Sequence, residues 1–236
     1  MVSLPDFERS LDSLMAEEGE RFVGTVPYAS HLTDPTEPLN EAYYLRHRVE
    51  TIKRIRLTSE VDAAALEALV KEDYDAARPW SRYVAEELDH DILFLRDLAQ
   101  HHYTADRVNA IKLFPSTVRL IEFLRESTRD LGALPAVAYS LFVEWNSRQY
   151  SPAVVAKAEV AYSPNHVSGS KIHCRIDENE DHYEMLVGIA YRLVTKRGDP
   201  KLLFRLIATI AEFLRAYFHE LYAETVMLGH DTAPGR

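Results

Sequence analysis

Three stretches of this 236-residue chain carry side chains whose types and spacing could do metal chemistry. In "RYVAEELDHDILFLRDL", Glu87 and His90 stand three residues apart, so on a helix they occupy neighbouring ridges of one face. Glu-x-x-His is one of the ligand spacings of carboxylate-bridged di-iron bundles. It is also an ordinary pair on a solvated face. In "YSLFVEWNSRQY", Glu144 interrupts an apolar run beside Phe142, Val143 and Trp145. Burying a lone carboxylate is expensive, so Glu144 must be paired, protonated or metal-bound. In the plain reading its partner is Arg148, one helical turn on. In "KIHCRIDENEDHYEML", a regular helix advancing about 100° per residue puts His173 and Asp177 about 40° apart, with Glu180 about 20° to the other side of His173. These three make one ridge. His182 falls roughly opposite His173 and reaches the same centre only if the helix bulges or unwinds there. Glu178, Asp181 and Glu184 are left for the surface, and the whole stretch taken alone reads as a solvated acidic face.

Taken together the three stretches carry more weight. Carboxylate and imidazole groups at helical spacing, on three helices and each beside apolar residues, suit iron or manganese and need no cysteine. The core of a helical bundle is where such a site is built.

The elements that must position these groups are helical. The chain has only 8 glycines, and apolar residues recur at helical spacing almost throughout. The spacing predicts an opening helix near 5–18, a Pro-rich linker "VPYASHLTDPTEPLN" and a helix near 40–57. Ser59 reads as the cap of a further helix to about 77. Pro79 reads as a break before a long helix over 80–102, and another helix is expected near 116–128. Pro135 precedes "AVAYSLFVEWNSRQ", and Ser151-Pro152 reads as a cap and first-turn proline opening "AVVAKAEVAY". The last helices are expected over 171–196 and 200–226. The expectation is an all-α, single-domain bundle of seven to eight helices: residues 1–39 form the opening helix and linker, 40–226 the bundle, and 227–236 a disordered tail.

The pattern Glu87-x-x-His90, a lone Glu144 in a central helix, then His173-x-x-x-Asp177 resembles the haem-oxygenase-like di-iron oxidases and oxygenases. The resemblance spans roughly residues 40–225. It implies a haem-oxygenase-like seven-helix bundle, a fold shared with the TenA proteins and the quinone-forming enzyme of PQQ synthesis. In that family three core helices supply histidines and carboxylates to two Fe(II) ions, with O2 as co-substrate. Carried over, Glu87, His90, Glu144, His173 and Asp177 would be ligands. One departure matters: the family usually has a histidine three residues after the aspartate, and here that residue is Glu180. Glu180 as the sixth ligand gives four carboxylates and two histidines; His182 in its place gives three and three. Helical phase favours Glu180.

The function so implied is non-haem di-iron oxidation or oxygenation of a small substrate such as an amino acid, amine or fatty acid, by N-oxygenation, desaturation, cyclisation or C–C cleavage. Manganese accepts the same ligands. Arg148 could hold a substrate carboxylate through its planar fork. Two alternatives stand beside this: a cofactorless TenA-like or quinone-forming enzyme of the same fold, and a non-catalytic helical binding protein. A haem-binding version would use His47, but the acidic bundle face suits haem propionates badly. Cys174 points off the proposed ridge and reads as a small core hydrophobe. Glu212 and His219, seven apart, read as packing or surface residues. His101 and His102 close a helix, where a cation suits the dipole. His31 and His166 lack a partner at useful spacing.

The bulk numbers exclude other classes. A net charge of −10 argues against a nucleic-acid partner and an anionic membrane surface. One cysteine excludes an internal disulfide framework and suits a reducing cytosol. The first residues lack a basic start and a continuous apolar block, and no apolar run of about 18 residues exists, so a cytoplasmic protein is expected. Its expected partners are a small-molecule substrate, an external electron donor and at most a second copy in a homodimer.

Overall fold

The computed structural model describes residues 3–228, with the side chains of residues 177–180 outside that description. Ten α-helices run through the described residues: α1 (Leu4–Thr25), α2 (Glu41–Glu72), α3 (Tyr74–Glu87), α4 (His90–Ala99), α5 (Ala105–Ala110), α6 (Pro115–Leu131), α7 (Leu134–Ala161), α8 (Ser168–Glu180), α9 (His182–Arg197) and α10 (Pro200–Tyr222). No strand occurs among them. A 3-10 turn, Pro164–Val167, leads into α8, and a π-helical turn, Ala223–Met227, follows α10. Of the tail expected from residue 227, Met227 and Leu228 continue that irregular turn, and residues 229–236 lie outside the described residues.

Several starts are fixed by side chains that take orphan backbone donors. Asn40 Oδ1 accepts from the Tyr43 N–H at 3.0 Å, and Asp73 Oδ1 from the Ala76 N–H at 3.1 Å. Two expected starts are not starts. Ser59 lies inside the continuous α2, its hydroxyl donating back to the Ile55 carbonyl at 2.9 Å. Ser151-Pro152 lies inside α7, where the Ser151 hydroxyl meets that of Ser147 at 3.1 Å. Pro152 has no N–H to give the Arg148 carbonyl, yet the helix runs on through it to Ala161. Pro79 likewise sits inside α3 rather than ending a helix.

Helix α7 is the centre. Every residue from Leu134 to Leu141 is buried, the mark of a helix surrounded by others. It packs against α2, α6, α8, α9 and α10. One apolar core gathers Phe7, Leu11 and Met15 of α1 with Trp80 and Tyr83 of α3, the first half of α7, and α9 and α10. A second joins Tyr43, Val49 and Ile52 of α2 to Phe94, Leu98, Tyr217 and Leu221. The acidic and imidazole groups lie where these two cores meet, with Tyr83 on one side and Phe94 on the other.

Two breaks shape that junction. The long helix expected over 80–102 divides at Leu88–Asp89 into α3 and α4, so Glu87 closes one helix and His90 opens the next. The helix expected over 171–196 divides at Asp181, whose backbone is left-handed (φ 48°, ψ 48°) and separates α8 from α9. Aspartate is among the few non-glycine residues that visit this region.

Candidate metal centre

Five polar side chains, one from each of α3, α4, α7, α8 and α9, meet between these helices. Glu87 closes α3, and its Oε1 lies 3.0 Å from His90 Nδ1 at the start of α4. Glu144 projects from mid-α7 and His182 from the first residue of α9; His182 Nδ1 stands 3.9 Å from Glu87 Oε1 and 4.0 Å from Glu144 Oε1. One ligand atom from each of Glu87, Glu144 and His182 lies within 4.8 Å of the others. The His173 ring on α8 packs against His90, centroids 4.3 Å apart, and against Phe94 at 4.9 Å. His90 and His182 are buried, and the Glu144 side chain is only 5% exposed. Asp177 and Glu180 lie on the last turn of α8, with side chains outside the described residues.

The sequence read the Glu-x-x-His pair as sharing one helix face. Here the pair straddles a helix break and still meets, because the turn at Leu88–Asp89 brings the first residue of α4 back over the last of α3. Likewise His182 is opposite His173 only on an unbroken helix; the left-handed Asp181 restarts the helix with a new phase and buries the ring at 1% exposure. That is the local unwinding required for His182 to reach the centre.

The seat of His173 is fixed by α4. The Gly169 N–H, Ser170 N–H and Ser170 hydroxyl donate to the buried Asp97 carboxylate at 2.7, 2.8 and 2.7 Å. This carboxylate caps the start of α8. A Cβ on Gly169 would lie 1.9 Å from the Leu93 carbonyl oxygen, so only glycine lets α8 approach α4 this closely.

The local field is negative. Burial and the Glu87 charge push the Asp62 carboxyl on α2 well above the ordinary carboxylate range. Burial, then Glu87, Glu144 and Asp62, push the Tyr83 phenol well above its ordinary value, so it stays protonated and donates to Glu144 Oε1 at 3.3 Å. Carboxylates concentrated in a buried space need protons, a cationic partner or a metal. The donor set of carboxylate oxygens and imidazole nitrogens fits iron or manganese, so the residues present fit the expected group.

A cavity of about 350 Å³ opens beside the centre, lined by Glu144, Ser147, Arg148, Cys174, Asp181 and Tyr183. Arg148 does not pair with Glu144 as the plain reading had it; its Nη1 stands 3.8 Å from Glu184 Oε1 at the exposed rim. Cys174 is partly buried against the second apolar core, in line with a small hydrophobe, and it also lines this cavity, which the sequence did not foresee. The sequence also missed Tyr83 and Glu86, whose Oε2 lies 2.7 Å from His182 Nε2; Tyr83 stands one turn before Glu87 on α3, a spacing that could have marked it, whereas Glu86 lies off that face and its partner is on a distant helix. The other histidines serve elsewhere. His47 Nδ1 meets the Tyr217 hydroxyl at 2.6 Å, which occupies the ring considered for haem. His101 packs against His166 and Tyr162. Glu212 is exposed, 4.0 Å from Arg215.

No family model matches this chain, and no curated protein does. Solved structures do. A domain of unknown function with a haem oxygenase-like fold from Shewanella denitrificans OS217 superposes with a TM-score of 0.78 at 17% identity, covering 100% of this chain and 98% of that one. A TenA homologue from Pseudomonas syringae pv. tomato DC3000 superposes at 0.70 with 16% identity, covering 96% of each. At such identities the likeness speaks for the fold: this chain has an all-α, haem oxygenase-like fold over its whole length.

Proposed function

We propose that this protein is a non-haem di-iron oxidase or oxygenase that uses O2 to oxidise a small organic substrate. The observation that carries the reading is the buried convergence of Glu87, Glu144 and His182, with His90 against Glu87 and His173 against His90. Glu87, Glu144 and His182 would hold one ion. His90 and His173, with Asp177 and either Glu180 or the shared carboxylates, would hold the second. Bound iron(II) supplies the binding and reduction of O2, and manganese suits the same donors.

The chain's own residues supply the rest. Glu87 and Glu144, from different helices, would present their carboxylates to the metal from two sides. Tyr83 donates to Glu144 Oε1 and holds that carboxylate in one orientation. The apolar walls of α3, α7 and α9 keep bulk water from the centre. The cavity beside Glu144 admits a substrate of modest size, and Arg148 at its rim offers a fork for a substrate carboxylate. Electrons beyond those of the substrate come from an external donor.

Anaerobic Fe(II) titration followed by exposure to O2 tests the reading. The parent is expected to retain about two irons per chain and to consume O2 in proportion. Glu144→Ala combined with His173→Ala should lose both behaviours. Iron retained by that double variant rejects the ligand set.

A second reading has one observation in its favour. Cys174 lines the same cavity as Glu144 and Tyr183, as a thiol nucleophile in a cofactor-independent enzyme of this fold would. Turnover by metal-stripped protein that is abolished by Cys174→Ser would favour it over the metal-dependent one.

A further inference from the structure

His182 is held from two sides. Nδ1 faces the centre, 3.9 Å from Glu87 Oε1 and 4.0 Å from Glu144 Oε1, while Nε2 lies 2.7 Å from Glu86 Oε2. An ionised carboxylate only accepts hydrogen bonds, so the contact with Glu86 requires Nε2 to carry a proton. In the neutral ring the remaining lone pair is then on Nδ1, the nitrogen turned toward the two carboxylates. A metal-bound imidazole is neutral, and a carboxylate on its far nitrogen fixes both tautomer and ring orientation. Without that partner the ring can turn over and present either nitrogen.

The backbone prepares this arrangement. Asp181 in the left-handed region brings His182 round to the interior, and Glu86 stands beside Glu87 at the end of α3. Consecutive residues on a helix point about 100° apart. One turn of α3 therefore sends Glu87 toward the centre and leaves Glu86 at its edge, with its side chain 36% exposed, where it meets the far side of the imidazole. The adjacent pair supplies a ligand and the support for a second ligand from another helix.

We propose that Glu86 is a positioning residue: it sets His182 to bind metal through Nδ1 by holding the proton on Nε2. This rests on the metal-dependent reading above. It also selects His182 rather than a bystander role for the ring, since a histidine packed only for shape would have no need of a fixed tautomer.

Zn(II) is a suitable diamagnetic probe, bound by the full chain in competition with a chromophoric chelator. Side-chain nitrogen correlations of His182, assigned with His182→Gln, read its tautomer. The parent should show Nδ1 bound to zinc and a protected proton on Nε2. Glu86→Ala should weaken zinc binding by about 10–100-fold, the usual effect of losing such a support, and should lose the protected proton. Glu86→Gln keeps an acceptor oxygen in place and should restore most of the affinity and the protected Nε2 proton; a charge-balancing role would not restore the affinity, and a merely bulky one would not need the proton. Zinc coordination through Nε2, or unchanged affinity and an unchanged Nε2 proton in Glu86→Ala, overturns the role of Glu86 while leaving the centre standing. Failure of the parent to bind zinc at all overturns the metal-dependent reading itself, and this role with it.

Discussion

Glu144→Gln separates a metal centre from a structural ion pair by the sign of its effect. In the metal-free protein, carboxylate oxygens of Glu87 and Glu144 lie within 4.8 Å of each other, and both side chains are largely shielded from solvent. With an effective dielectric of about 20, two unit charges at that separation repel by about 3.5 kcal/mol. Glutamine removes one charge and keeps the oxygen that accepts from Tyr83. If Glu144 is ionised, the substitution therefore stabilises the metal-free protein by up to that amount. If burial has already protonated it, the change is near zero. For a chain of this size 1 kcal/mol moves Tm by about 2–4 °C, so the expected change runs from nothing to a rise of roughly 7–14 °C. A structural ion pair with His182 predicts the reverse, because removing one partner of a buried pair costs about 3–5 kcal/mol. Thermal unfolding after chelation, at pH 6, where imidazole is ordinarily charged, and again at pH 8.5, where it is ordinarily neutral, measures this directly: an ion pair shows as a loss of stability at pH 6 that fades at pH 8.5. The same melts repeated with metal give the second half: a ligand at 100 times its Kd stabilises the parent by about 2.7 kcal/mol, and Glu144→Gln should lose most of that gain. A metal-free variant melting several degrees below the parent would refute the argument, whatever its activity.

Gly169→Ala should destabilise by about 3 kcal/mol, the upper end for overpacking, because the new Cβ meets the Leu93 backbone rather than a yielding side chain. Denaturant unfolding measures it, and metal affinity should fall with it as His173 moves away from His90. Tyr83→Phe removes the phenol that donates to Glu144 and should cost about 1 kcal/mol by chemical denaturation, with no change in helix content. His47 sets part of the acid limb of stability. Burial, then Arg48 and Arg54, hold its pKa well below 6.5, so below that pH the unfolded chain binds a proton that the folded chain refuses. Stability should fall as pH drops from 6.5 toward the folded value. His47→Gln should flatten that slope in urea melts between pH 7 and 5, while leaving the slope above pH 7 unchanged.

The chemistry of the site was more legible in the sequence than the helices that hold it. Glu87, His90, Glu144 and His173 stand out by type, because a carboxylate or imidazole beside apolar neighbours must be satisfied somehow, and that argument does not depend on where helices begin. Ser59 and Ser151-Pro152 have the local chemistry of helix starts, yet both lie mid-helix. At Ser59 α2 continues because both flanks are packed, Thr58 and Val61 being buried, and such packing outweighs a cap worth about 1 kcal/mol; at Ser151-Pro152 α7 runs on through an exposed turn until Val155 is buried again. The breaks that matter carry almost no local signal: neither Leu88–Asp89 nor Asp181 involves glycine or proline. Periodicity assumes an unbroken phase, so it aligned Glu180 with His173 and set His182 opposite. A single left-handed residue resets that phase. It costs roughly 1–2 kcal/mol for most side chains and less for aspartate, and it is offset by burying the His182 ring against Tyr83, their centroids 5.3 Å apart. If the turn at Asp181 exists to deliver His182, then Asp181→Gly should preserve metal binding, because glycine adopts the same backbone without strain. Asp181→Val, β-branched and ill-suited to positive φ, should weaken metal binding and overall stability together. Metal binding that survives Asp181→Val while stability falls would mean that the ring reaches the centre by some other route.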